Sequence, residues 1–124
     1  MEDLDFVRAL YGNDWNDLEE VLLNLQLEPE LAYPLASRLS LNRGWRERVA
    51  AAKLIAAYRL QALVEPLIRT FASNPETHTC RAFHRMLKEF PEELQCSMRE
   101  LLRDACGEGS YGEHLLSILD QTSF

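Results

Sequence analysis

Two stretches that begin 32 residues apart, LAYPLASRL (Leu31 to Leu39) and LVEPLIRTF (Leu63 to Phe71), share one layout around a proline. Leu31 answers Leu63, Pro34 answers Pro66, Leu35 answers Leu67 and Leu39 answers Phe71. Apolar residues four apart lie on one face of a helix. Proline inside a helix removes a hydrogen bond and costs about 3 kcal/mol. A proline at the same place in two helical stretches therefore marks a duplicated structural position. The spacing puts Pro34 and Pro66 in or just past the first turn of a helix, where few carbonyl partners are lost.

The same offset of 32 runs through the rest of the chain. One column reads Leu22, Leu54, Met86 and Ile118, and its neighbour reads Leu23, Ile55, Leu87 and Leu119. A third reads Leu18, Ala50, Ala82 and His114, apolar in all but the last copy. Each triplet has the i, i+4, i+5 spacing of a buried helical face. Asn42 and Asn74 fall at the same offset in polar breaks between helical stretches, and Pro29, Pro75 and Pro91 stand at or near helix starts. The pattern predicts helices over 3–11, 14–25, 29–40, 45–59, 62–73, 76–90, 92–106 and 111–121, with no sheet, since no segment alternates with period two. Helices 14–25, 45–59, 76–90 and 111–121 read as outer, and 29–40, 62–73 and 92–106 as inner. The expectation is an all-α, right-handed α-solenoid of stacked helix pairs, seven or eight helices with a 32-residue repeat, in a single domain over residues 1–124.

Size and composition narrow the class. The 124 residues suit one domain with a modest core, and no window approaches the 18 or so uncharged apolar residues of a membrane span. MEDLDFVRAL is acidic and lacks the basic and apolar regions of a signal peptide, so a cytoplasmic protein is expected. Cys80, Cys96 and Cys106 match no zinc spacing and read as reduced thiols acting as small hydrophobes. The net charge of −7 is unevenly placed: residues 1–35 carry −8, residues 36–90 carry +6 and residues 91–124 carry −5. Such asymmetry points to binding surfaces more than to fold.

WRERVAAAKLIAAY followed by ALVEPLIRTF resembles the short HEAT-type repeat, in the compact form seen in phycobilisome-lyase-like repeat proteins. Arg46 matches that family's arginine, Ala50 and Ala51 its small pair, and Pro66, Leu67 and Ile68 its second-helix motif. The resemblance covers roughly residues 14–121 and is closest over 31–90. Asn42 and Asn74 stand where the family has Asp, and His78 stands where it has arginine. HEAT-type metalloenzymes use repeated His-Glu pairs as iron ligands, and this chain contains no His-Glu dipeptide.

Chemistry-bearing residues are sparse. In HTCRAFH, His78, Cys80 and His84 fall short of a metal set without further ligands, and a Cys–His nucleophile lacks an orienting third group. GEGSYG (Gly107 to Gly112) has neither the spacing nor the lysine of a phosphate loop. The expectation is therefore no enzyme, no cofactor and no metal. The basic segment SRLSLNRGWRERVAAAK carries Arg38, Arg43, Arg46, Arg48 and Lys53 around Trp45, a composition suited to a protein-binding hot spot. Its alternatives are a phosphate-binding turn, or a Trp45 packed into the repeat seam with the arginines paired to neighbouring acids. In NDWNDLEEV, Trp15 reads either as core at the end of the array or as an anchor in an acidic surround facing a basic partner.

The function expected is that of a non-enzymatic protein-binding module, most specifically a bacterial immunity or antitoxin-type inhibitor that blocks a toxin domain. An adaptor, an assembly chaperone or a small nucleic-acid binder using the basic middle are the alternatives. Its partner is another protein, with Arg38, Arg43, Trp45, Arg46, Arg48 and Trp15 as contact residues.

Overall fold

A computed structural model describes residues 3–42, 44–72 and 77–106. Arg43, Asn74, Pro75, the segment 107–124 with its expected last helix, and the side chains of Phe71, His78 and Cys106 lie outside the described residues. Within them are seven α-helices: α1 (Asp3–Tyr11), α2 (Leu18–Leu25), α3 (Pro29–Ser40), α4 (Trp45–Tyr58), α5 (Val64–Ala72), α6 (Thr77–Leu87) and α7 (Glu92–Cys106). Short 3-10 turns, Trp15–Asp17 and Gln61–Leu63, lead into α2 and α5. No strand occurs among the described residues.

Local chemistry accounts for the boundaries. Asp3 and Asp5 open α1 and Arg8 lies in its last turn, matching the helix dipole. The Asp14 side chain accepts from the Asn16 N–H at 3.0 Å and starts the turn into α2. Gln26 and Arg59 end α2 and α4 in the left-handed region, at φ 51° and 55°. Arg59 is held there from outside its own helix: its guanidinium donates to the Glu89 carbonyl at 2.6 Å and to the Glu89 carboxylate at 2.9 Å.

The organising element is α4. Every residue from Arg48 to Ala56 is buried, because α1, α3, α5 and α6 all pack on it. A helix enclosed on all sides must be apolar or internally satisfied all round. Ala50, Ala51 and Ala52 meet the first condition, and α3, which packs on this helix, buries the small residues Ala32 and Ala36. Lys53 meets the second. Its ammonium donates to the Leu10 carbonyl at 2.6 Å and to that of Asn13, capping the C-terminal end of α1. Burial lowers the Lys53 pKa, an effect opposed by the Asp14 carboxylate. Residues 45–59 were expected as an outer helix, and here that helix lies inside.

Beyond α4, α6 packs on α4 and α7 packs on α5. Leu54, Ile55, Met86 and Leu87 are fully buried, as are Leu35 and Leu67. The first-copy positions differ: Leu18 and Leu22 are half-buried and Leu23 is 76% exposed. Likewise Leu31 is 56% exposed where its counterpart Leu63 is 6% exposed. For the α2 positions the reason is that this helix packs only lightly on α4.

The two prolines also differ in position. Pro66 is the third residue of α5, inside its first turn, and Pro34 is the sixth residue of α3, just past the first turn, both as expected. At Pro34 the missing N–H leaves the Glu30 carbonyl without its helical donor. Pro34→Ala is expected to raise stability by about 1–3 kcal/mol, while Pro66→Ala changes it by less than about 1 kcal/mol. Denaturant midpoints of the two variants check this, and equal midpoints would contradict it.

Candidate functional site

The arginine segment does not assemble into one surface. Arg48, expected as a contact residue, is 1% exposed and is corrected to a core residue. Its Nε donates to the Asn42 carbonyl and its Nη2 to the Thr70 carbonyl, both at 3.1 Å, so the guanidinium ties the start of α4 to the end of α5. Arg38 is exposed but engaged. It grips Asp3 bidentately at 2.9 and 3.0 Å, pinning α1 to α3, and its hydrogen bond holds the Asp3 carboxyl below the usual carboxylate range. Trp45 is half-buried, with Tyr11 edge-on to its ring at 5.7 Å and 87°. Arg46 lies over both rings, 5.0 Å from Trp45 and 5.4 Å from Tyr11. Trp45 and Arg46 are thus the members of the expected patch brought together at a surface.

Trp15 stands at a different place. It is half-buried, with Lys53 at 5.7 Å and Arg85 at 5.3 Å from its ring centre. It lines a cleft of about 930 Å³. One side of the cleft comes from Leu18, Leu22 and Leu23 of α2, followed by Leu27. The other comes from the end of α4, residues 56–59, with Arg85 and Glu89 from α6 and the turn after it. The Tyr58 hydroxyl donates to the Leu27 carbonyl at 3.2 Å across this gap, and burial raises its pKa. Because α2 packs only lightly on α4, Leu18 and Leu22 are covered in part by the core and Leu23 is open.

The charges around the cleft are unequal in their commitments. Arg59 and Arg85 both pair with Glu89, at 2.9 and 3.1 Å. Glu19 and Glu28 also line the cleft, and no cation among the described residues pairs with them. Asp17, Glu20 and Glu30 are exposed on the same elements. The cleft is a largely apolar trough with an acidic margin among the described residues. Among the described residues no three His, Cys, Asp or Glu side chains gather to hold a metal ion.

The columns Leu18, Leu22 and Leu23 read as core in the sequence, and the cleft-lining role was missed. Their signal lay in context: the segment 14–20 is dense in acids, an unusual flank for a helix packed on both sides.

Cys80 and His84 lie four apart on α6 and are both buried. His84 is 4% exposed, and its pKa is pushed down to about 4 by burial first, then by the charges of Arg99 and Lys88. The native imidazole is therefore neutral where an unfolded histidine, near 6.5, takes up a proton. Stability is expected to be full above pH 6.5 and to fall as the pH drops toward 4. The slope reaches at most about 1.4 kcal/mol per pH unit, a loss on the order of 3 kcal/mol in all. Urea unfolding across that range measures it, and His84→Leu should flatten the dependence.

No protein-family model, curated protein or solved structure matches this chain at a significant level. The described residues form an all-helical protein of seven α-helices, none of them long and apolar enough to cross a membrane.

Proposed function

We propose that this protein is a non-enzymatic protein-binding module whose working surface is the cleft between α2 and the ends of α4 and α6. The observation that carries the reading is the apolar side of α2 that the described residues leave open, where Leu23 is 76% exposed beside half-buried Leu18, Leu22 and Trp15. Apolar area that a fold leaves open beside a polar margin is the usual mark of a contact site. The fold reading that accompanies it is an α-solenoid of HEAT-like helix pairs, supported by α6 packing on α4 and α7 on α5. In such an array α1 and α2 lie at one end, and α2, packed only lightly on α4, has part of its surface left to a partner.

An inhibitor of the immunity or antitoxin type fits this surface well, because an acidic, apolar trough complements a cationic face on a target domain. A nucleic-acid role is less well supported. Arg48 and Lys53 are buried and Arg38 is bound to Asp3, so the basic middle keeps few cations for phosphates.

The test compares the two surfaces against a partner protein isolated on the immobilised chain. Leu22→Asp is expected to weaken binding by about 2 kcal/mol or more, and Arg46→Ala by less than about 0.5 kcal/mol. Circular dichroism of both variants verifies the helical fold. A large loss at Arg46→Ala with full binding by Leu22→Asp would move the site to the Trp45 surface.

A further inference from the structure

Resting on the protein-binding reading above, we propose that the cleft receives a basic amphipathic helix of the partner protein. Trp15, Leu18 and Leu22 recur three and four residues apart and all line the cleft, with exposed Leu23 beside them and the buried Leu27 at its floor. That is the pattern by which one helix accepts the apolar face of another. A helix with its side chains is about 10–12 Å across, and only its apolar ridge needs to enter a trough of this size.

Charge decides the polar face of the occupant. Arg59 and Arg85 share the single Glu89 carboxylate and keep one positive charge between them, outweighed by Glu19 and Glu28 on the cleft and Asp17, Glu20 and Glu30 beside it, which pair with no described cation. A helix lying with its leucines inward brings its flanking positions against these carboxylates, so lysines and arginines there are attracted and acids repelled. The same charge disfavours a second copy of this chain. Its net charge is −7 and the cleft margin is acidic, so two copies meeting at this surface bring like charges together.

The probes are three synthetic peptides of about five helical turns. One has leucines on one face and lysines on the other, one replaces the lysines by glutamates, and one shuffles the lysine peptide so that amphipathicity is lost. Each is titrated into the full-length, isotope-labelled chain and followed by NMR. The lysine peptide is expected to shift the Trp15 indole and the amides of residues 18–28. It should bind about tenfold or more tighter than either control. The double variant Glu19→Lys/Glu28→Lys should reverse the preference between the lysine and glutamate peptides. Equal or tighter binding of the glutamate peptide in the same cleft would overturn the basic partner while leaving the cleft as the binding surface. Shifts centred on Trp45 and Arg46, or no shift with any peptide, would overturn the cleft reading as well. A dimer dissolved by Leu23→Asp would assign the cleft to a second copy and reject the proposal.

Discussion

Arg48→Met is expected to destabilise the protein by about 3–5 kcal/mol, the usual cost of breaking a buried charged network. The guanidinium is 1% exposed, and two of its nitrogens serve two different carbonyls, Asn42 on the approach to α4 and Thr70 in α5. Methionine replaces much of the volume, so the loss reports the hydrogen bonds and the join between α4 and α5 rather than an empty cavity. Arg48→Lys should recover only part of it, because an ammonium on a shorter reach lacks the planar fork that addresses both carbonyls. Urea unfolding measures the series. A solvent-exposed contact arginine would lose about 0.5 kcal/mol or less in the same experiment.

The second large effect concerns the aligned apolar columns. Leu54→Ala and Leu87→Ala should each cost about 2–5 kcal/mol, as fully buried leucines do. Both side chains are 0% exposed, on α4 and α6, which pack against each other. Leu23→Ala, at the position aligned with Leu87, should stay within about 0.5 kcal/mol because it removes little buried area. Stability thus separates leucines that the sequence aligns as equivalents. A comparable loss at all three would mean that α2 is packed as tightly as its counterparts and that the cleft is closed in solution.

These contrasts show what was legible in the sequence. Helical periodicity is a local property, and seven helices lie close to their expected spans; the 3-10 turns at Trp15 and Gln61 and the early end of α6 at Leu87 are small departures. Which columns are covered is a tertiary matter. Leu22 and Leu54 carry the same spacing, but only Leu54 has helices on every side. The arginine segment illustrates the same limit. Arg38, Arg46 and Arg48 form one basic stretch in the chain, yet they separate into a surface ion pair, a stacked cation and a core hydrogen-bonding group. The decisive partners, Asp3, Tyr11 and Thr70, are distant in sequence, and no composition argument supplies them. Trp15 was singled out, but its neighbours across the cleft belong to α4 and to the end of α6, so the trough became visible only when those elements were brought together.

The central claim is the location of the working surface, and backbone hydrogen exchange of the full chain, free and bound to its partner protein, tests it most directly. In the free protein the amides of α4 should exchange slowest and those of α2 among the fastest helical amides, since α2 buries none of its residues. On binding, added protection should concentrate on residues 15–27 and on the end of α4 around Tyr58. Protection that appears instead at Tyr11, Trp45 and Arg46, with α2 exchanging as before, would contradict the account.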